Sequence, residues 1–227
     1  MNYFIFKGID SRQFGNLIVN ELPSIIKATP KVDKYEVDGR SGSLNVSSGA
    51  YSSIIKSVQC TLLDLSNVDE VLKWLDGTGD VIFSNQADKY FKASIVNQIS
   101  LDRVLYQFRS FIVEFECDPE AYYVNESKLE FIESSTFLGR GSKDSNPIIT
   151  IFGDGDIELN INNKIITLTG VDGHLTIDSF LYQVHKDKVN QGEKMIGYFP
   201  TLTPGVNSIS WTGNVKKILI EPNWINV

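Results

Sequence analysis

The sequence of residues 109–117 is RSFIVEFEC, and its apolar and polar side chains alternate more clearly than anywhere else in the chain. The odd-numbered positions from 111 to 117 are apolar, whereas Glu114 and Glu116 lie between them. A period of two is expected for a β-strand that buries one face and exposes the other. We therefore predict a strand at residues 109–117 and a fold built mainly from such strands.

Other short runs rich in β-branched and aromatic residues predict further strands on both sides of this segment. In the first half they are residues 3–6, 31–37, 54–62, 81–84 and 90–96. In the second half they are residues 148–152, 156–161, 164–169, 174–178, 181–185, 206–211 and 215–221. Asn162-Asn163 has the residue type of a tight hairpin turn, because asparagine tolerates a positive φ. Turn residues at intervals of roughly ten residues favour a β-sandwich in this half.

One segment has the period of a helix instead. Its apolar positions at i, i+3, i+4 and i+7 are Val68, Val71, Leu72 and Leu75. Ser66 followed by Asp69 resembles a capping box, and Gly77 can end the helix in a left-handed conformation. We predict a single short helix at about residues 66–76, packed on a sheet by Trp74 or Leu75.

The composition argues against two classes of protein. The net charge of -7 is spread over both halves without a basic patch, so we do not expect a nucleic-acid-binding protein. No stretch approaches the roughly 20 apolar residues that span a bilayer. Residues 1–7 lack the basic region and long apolar core of a signal peptide and are predicted to enter a strand.

The two cysteines, Cys60 and Cys117, lie in alternating apolar stretches, where a thiol behaves as a small hydrophobe. We predict buried free thiols and no disulfide. The length of 227 residues is sufficient for one large all-β domain or for two domains of about 100 residues each. Either arrangement can bury a core without a disulfide.

No residue pattern predicts catalysis, so we expect neither an enzyme nor a metal or cofactor site. His174 and His185 lie on different predicted strands, where packing or surface roles are far commoner than catalytic ones. Residues 153–156, GDGD, lack the glycine and glutamate that an EF-hand loop needs downstream, so a turn between strands is favoured. Residues 39–43, GRSGS, lack the final glycine of a nucleophile elbow, so a glycine-rich turn or mobile loop is favoured.

Several short motifs follow one another along nearly the whole chain. In the first half they are FIFKGIDS at residues 4–11, FG at 14–15, LP at 22–23, VDGRSGSL at 37–44, WLDGTG at 74–79, VIFS at 81–84 and CDP at 117–119 followed by Tyr122. In the second half they are NPII at 146–149, GDGDI at 153–157, LTIDS at 175–179, FPTL at 199–202, PGVN at 204–207, WTGN at 211–214 and PNW at 222–224. In this order they resemble the distal tail proteins of siphophages, the long-tailed, non-contractile bacteriophages. Glu120 departs from the aromatic residue expected at that position.

The resemblance implies a mainly β fold of two domains. A ring-forming tail domain at residues 1–122, β-sandwich-like and with the short helix, assembles usually as a hexamer around the tail channel. Residues 123–227 form a β-sandwich like that of galectins or carbohydrate-binding modules, on the outer side of the ring. Such a ring is a structural baseplate component that connects the tail tube to the host-contacting tip and supports receptor-binding components.

The implied partners are further copies of the chain, in one ring or in stacked rings, and other tail proteins. These are the major tail tube protein, the C-terminal end of the tape-measure protein, the tail-associated hub protein and a receptor-binding protein. DNA passes through the lumen without specific binding, and no membrane is involved. The implied location is the virion tail tip, after synthesis and assembly in the cytoplasm of the bacterial host.

We assign the ring interface to Gly39, Arg40 and Gly42 of the VDGRSGSL motif and to Trp74. Trp211 and Trp224 are the predicted contacts for a glycan or a partner protein. An alternative function stays open, in which the second domain is a carbohydrate-binding adhesion module that recognises host cell-wall polysaccharide through exposed aromatic side chains.

Overall fold

The computed structural model describes residues 1–36, 38–39, 41–103 and 108–227, with Arg103 described by its backbone only. It divides into two compact units, residues 1–124 with residue 227, and residues 125–226. The prediction of a mainly β fold with one short α-helix is confirmed for the described residues, and each unit contains one main sheet.

The first unit contains ten strands and one α-helix in its described residues. They are β1 (Phe4–Phe6), β2 (Ile9–Asp10), β3 (Leu17–Glu21), β4 (Pro30–Glu36), β5 (Ser43–Tyr51), β6 (Ile54–Leu62), α1 (Val68–Trp74), β7 (Thr78–Phe83), β8 (Lys89–Ile95), β9 (Asp102–Arg103) and β10 (Arg109–Tyr123). The main sheet has the antiparallel order β2-β1-β7-β8-β10-β6-β3, whereas β4 and β5 form a separate two-stranded sheet.

The core of the first unit lies on the face of this sheet predicted from residues 109–117. Phe111, Val113, Phe115 and Cys117 are all buried, and β10 pairs with β6 through the register Val113↔Val58. The ring of Phe115 makes edge contacts with three other buried phenylalanines at centroid distances between 5.3 and 5.7 Å. The predicted free thiols are confirmed, since Cys60 and Cys117 are buried and unbridged, and burial raises the pKa of each to about 12.

Helix α1 covers this core, but its N-terminus differs from the prediction. The N-cap residue is Asn67, without a side-chain capping bond, because Ser66 is engaged with Asp64. The Asp64 Oδ1 atom accepts a hydrogen bond from the Ser66 backbone N–H at 2.9 Å, so the predicted capping box at Ser66 is wrong. Gly77 follows the helix with a φ of 70°, the left-handed conformation that suits glycine.

The second unit is built around two long strands. Its strands are β11 (Leu129–Phe131), β12 (Ser135–Gly139), β13 (Ile148–Ile161), β14 (Lys164–Val171), β15 (His174–Asp178), β16 (Gln183–Lys186), β17 (Val189–Asn190), β18 (Met195–Ile196), β19 (Gly205–Glu221) and β20 (Ile225–Asn226). β13 and β19 pair with each other, and each changes its other partner along its length: β13 pairs with β15 and then β14, and β19 with β12 and then β11. The predicted turn is confirmed at Asn162-Asn163, with φ values of 51° and 63° between β13 and β14.

The segment GDGD at residues 153–156 corrects one prediction. It lies inside β13 and is not a turn between strands. Register shifts after Phe152 and Asp154 allow β13 to bend there. The Asp154 and Asp156 carboxylates accept backbone hydrogen bonds from Gly173 and Gly170, each at 2.9 Å, and the bond from Gly173 is the main reason why the pKa of Asp154 is lowered.

Candidate interface and binding surfaces

The β4–β5 hairpin carries two of the predicted interface residues at its tip. Gly39 and Gly42 are exposed and have φ values of 78° and 85°, so glycine is needed there for the chain to reverse direction. Arg40, the third predicted residue in this motif, lies outside the described residues. The glycine-rich turn expected from the sequence is therefore the end of a two-stranded hairpin.

One face of this hairpin carries three uncovered apolar side chains beside the carboxylate of Asp33. Tyr35 pairs with Leu44 and Asp33 pairs with Val46, and cross-strand partners point to the same side of a sheet. Tyr35, Leu44 and Val46 are 54%, 45% and 44% exposed. An isolated two-stranded hairpin is marginally stable in water at best, so the hairpin has an apolar face without the packing that would stabilise it.

A second apolar surface lies on the outer face of the main sheet, around the edge strand β3. The alternation that buries Ile54 and Val58 on β6 turns Ile55 outward, where it is 46% exposed, and Ile112 on the neighbouring β10 is 49% exposed. A surface cavity of about 350 Å³ lies beside these two isoleucines. We call it the outer groove; its lining is Glu21, Leu22, Pro23, Ser24, Ile26, Ile55, Ser57, Gln59 and Ile112.

Trp74, the fourth predicted interface residue, belongs to the core. Its side chain is 6% exposed and stacks on Phe4 at a centroid distance of 5.2 Å. Its indole Nε1–H donates a hydrogen bond to the Phe6 carbonyl oxygen at 3.0 Å. The expectation that Trp74 packs the helix on the sheet is thus confirmed. An interface role for this residue stays a prediction, and little of its side chain is exposed for such a contact.

The two tryptophans predicted to contact a glycan or a partner have different surroundings. Trp224 is 3% exposed, and its ring lies so close to Gly139 that a Cβ atom there would be 3.2 Å from it. Its backbone N–H donates to the half-buried carboxylate of Glu126 at 3.2 Å. A stacking contact needs an accessible ring, so the glycan role predicted for Trp224 is not compatible with this burial. Trp211 is half-buried on β19, and its contact role stays a prediction.

An exposed aromatic cleft lies elsewhere in the second unit and was not predicted. Tyr182 and Phe199 meet edge to face, with centroids 5.4 Å apart, beside a cavity of about 260 Å³. We call it the Tyr182 cleft; its lining is Tyr182, Gln183, Val184, Asn190, Gly192, Met195, Gly197 and Phe199. Residues 181–185 were predicted as a strand, but β16 begins at Gln183, because Tyr182 adopts a φ of 54° that ends the extended conformation. Nothing in the residue pattern signals that backbone angle.

The two histidines lie on the neighbouring strands β15 and β16. His174 Nε2 lies 3.3 Å from the Asp187 carboxylate at the surface, whereas His185 lies on β16. No group of three histidine, cysteine or acidic side chains among the described residues is placed to hold a metal ion. No helix in the described part of the chain is long and apolar enough to cross a bilayer.

Comparison with solved structures identifies the fold. The chain is similar to the Dit protein of phage SPP1, whose crystal structure is described as a paradigm of the hub adsorption apparatus of phages that infect Gram-positive bacteria. The TM-score is 0.75 and the sequence identity 13%, over 97% of this chain and 98% of the SPP1 chain. No protein-family model matches the chain, and no curated protein matches it. The predicted resemblance to distal tail proteins is thus confirmed at the level of the fold.

Proposed function

We propose that this chain is a structural hub protein of a phage tail, which forms a ring between the tail tube and the host-contacting tip. The observation that carries the proposal is the shared fold with SPP1 Dit along nearly the whole of both chains. In this proposal the protein acts by assembly and not by catalysis.

The ring closes through two different surfaces of the first unit. A ring needs a heterologous interface, in which one patch of each copy meets a different patch of the next. The apolar face of the β4–β5 hairpin and the outer groove are two such patches, and each exposes aliphatic side chains. We propose that the hairpin of one copy packs its Tyr35, Leu44 and Val46 side chains against the outer groove of its neighbour.

Contact between these surfaces supplies the packing that the hairpin lacks within its own chain. Removing apolar surface from water contributes about 25 cal/mol for each Å² that is buried. The opposite face of the hairpin stays in water because, apart from Val32, its side chains are polar, among them Lys34 and Asn45. The proposed interface therefore uses one face of the hairpin only.

The proposed partners follow from a position at the tail tip. They are the copies of the ring, usually six, the tail tube protein, the end of the tape-measure protein, the central hub protein and a receptor-binding protein. The net charge of -7 suits a channel through which DNA passes, since a wall of the same sign as the phosphates disfavours adsorption.

Native mass spectrometry of the purified protein over a range of concentrations tests the ring and its interface together. We expect a closed oligomer, with six copies of the 25.4 kDa chain as the main species. The double variant Tyr35→Ser/Leu44→Ser should shift the protein to monomers at the same concentration. The matched control Lys34→Ser/Asn45→Ser changes the opposite face of the same hairpin and should assemble like the parent chain.

Two outcomes contradict the proposal at different levels. If the parent chain stays monomeric at the highest concentration and also in the presence of the tail tube protein, the ring is wrong. If a ring forms but both double variants weaken it equally, the ring stands and the assignment of the apolar face is wrong. Circular dichroism spectra of all three proteins establish that the substitutions leave the sheets intact.

A further inference from the structure

The Tyr182 cleft combines an exposed tyrosine ring and a half-buried phenylalanine ring with two side-chain amides. The Tyr182 side chain is 68% exposed although its ring contacts Phe199. The carboxamides of Gln183 and Asn190 line the same cavity. A T-shaped pair places the edge of one ring against the face of the other, so ring surface is left for a ligand.

The backbone holds Tyr182 in a conformation that a tyrosine rarely adopts. Its φ of 54° lies in the left-handed region, which costs a residue with a Cβ roughly 1 kcal/mol or more. The preceding turn is fixed by Asp178, which is 7% exposed and whose Oδ1 atom accepts hydrogen bonds from the backbone N–H groups of Phe180 and Leu181, each at 2.9 Å. Strain of this kind persists only where the surrounding structure maintains it, so the contacts of Asp178 hold the Tyr182 ring in place beside the cavity.

The polar groups of the cleft are available for hydrogen bonds. Asn190 Oδ1 accepts from the Gly192 backbone N–H at 2.8 Å, which orients the carboxamide and leaves its NH₂ group without a protein partner among the described residues. The Gln183 side chain is exposed and makes no hydrogen bond within the described part of the chain. One oriented donor and one free amide thus flank the aromatic pair.

None of the residues that line the cleft is charged. A phosphate, carboxylate or sulfate would need a cation there, and a metal ion or an amine would need carboxylates. The cavity of about 260 Å³ is also short for an extended peptide, which would need a groove with a row of side-chain pockets. A compact, neutral ligand with an apolar face and several hydroxyl groups fits aromatic rings and amides together.

We infer that the Tyr182 cleft is a binding site for a neutral saccharide, with the pyranose C–H face against the Tyr182–Phe199 pair and hydroxyl groups on Gln183 and Asn190. The inference does not depend on ring formation, because all of these residues belong to the second unit. The inferred saccharide site is the Tyr182 cleft and not Trp224, because the Trp224 ring is buried. All residues of the cleft come from a single chain.

Saturation-transfer NMR on the full-length protein tests the inference with a panel of methyl glycosides. The neutral probes are those of glucose, galactose, N-acetylglucosamine and rhamnose, and the charged probes are glucuronic acid and glucose 6-phosphate. We expect transfer to at least one neutral glycoside and weaker or no transfer to the charged sugars. The side-chain amide signals of Gln183 and Asn190 should shift in ¹H–¹⁵N spectra as that glycoside is added.

Two variants separate a binding role of Tyr182 from a structural one. Tyr182→Gly removes the ring and suits the positive φ, so we expect thermal stability to be unchanged or higher while affinity falls roughly tenfold. Tyr198→Ala is the matched control, because Tyr198 is 84% exposed next to Phe199 and does not line the cavity. Its affinity should equal that of the parent chain.

Three results would overturn the inference. The first is no transfer to any neutral glycoside, and the second is undiminished binding in Tyr182→Gly. The third is amide shifts that occur only outside the cleft residues. Native mass spectrometry of the same samples shows separately whether the proposed ring forms.

Discussion

A buried lysine in the first unit allows the sharpest prediction about stability. Lys56 occupies an inward position on β6 between Ile54 and Val58, and its side chain is 1% exposed. Its Nζ atom lies 3.5 Å from Gln86 Oε1 and 4.5 Å from the centroid of the Phe91 ring. The ammonium group therefore has one long polar contact and an aromatic face in place of water.

The balance of these terms favours an apolar replacement. Removing an ammonium group from water costs several kcal/mol in a folded protein. The cation–π contact with Phe91 offsets about 2 kcal/mol of this cost. The hydrogen bond to Gln86 contributes little, because its length is at the limit of the distance range. Lys56→Met keeps the length of the side chain and removes the charge. We expect it to raise the free energy of unfolding of the first unit by about 1–2 kcal/mol at pH 7.

The stability gain from Lys56→Met should decrease as the pH rises. Burial lowers the pKa of Lys56 below its ordinary value of 10.5, and the nearby Cys117 partly opposes that shift. Between the lowered pKa and 10.5 the unfolded chain binds more protons than the folded one, so the stability of the parent chain rises with pH. The cost of burying the charged ammonium is fully present below the folded pKa of Lys56 and disappears as the pH rises towards 10.5. The gain from Lys56→Met should shrink over the same range.

Native-state hydrogen exchange of the amides of β6 and β10 measures this free energy for the first unit alone. The control is Lys73→Met on the exposed side of α1, which should change the stability by less than about 0.5 kcal/mol. The reasoning is refuted if Lys56→Met lowers the free energy of unfolding at pH 7. It is also refuted if the gain persists unchanged at pH 10.5.

Three further substitutions test contacts in the two cores. Trp74→Phe removes the buried hydrogen bond to the Phe6 carbonyl and part of the ring volume, so urea denaturation should show a loss of about 2 kcal/mol; an unchanged midpoint would contradict the packing. Gly139→Ala places a methyl group 2.2 Å from the Thr203 carbonyl oxygen, so the second unit should lose about 2–3 kcal/mol by the same assay, and a neutral result would contradict the close approach. Burial raises the pKa of Glu126, because the folded state disfavours the ionised carboxylate. This cost to the free energy of unfolding is fully present above the folded pKa and is lost as the pH falls below it. Glu126→Gln should therefore raise the thermal midpoint at pH 7 and much less near pH 4, and equal gains at both would contradict the sign.

The elements that depend on local pattern could be predicted from the sequence. The alternation in residues 109–117 identified the central strand and its buried face, because a strand with one solvated side must alternate. The paired asparagines identified the β13–β14 turn, because positive φ restricts residue choice. The helix was found from its apolar stripe, although its N-cap depended on a competing contact with Asp64.

The elements that depend on distant contacts could not be predicted. Burial of Trp224 follows from its approach to Gly139, which lies 85 residues earlier in the chain. The Tyr182 cleft depends on a left-handed tyrosine and on Phe199 from another segment, and neither has a periodic signal. The apolar face of the hairpin depends on the register that pairs Tyr35 with Leu44, since a shift by one residue would turn Leu44 to the opposite face.

The proposal that this chain is a tail hub is tested most directly by cryo-electron microscopy of phage tails from cells that carry its gene. We predict a ring of copies of this chain at the tip end of the tail tube, around an open axial channel, with neighbouring copies in contact through the β4–β5 hairpin. A tail tip reconstructed at side-chain detail in which this chain forms no ring around the channel would contradict the account.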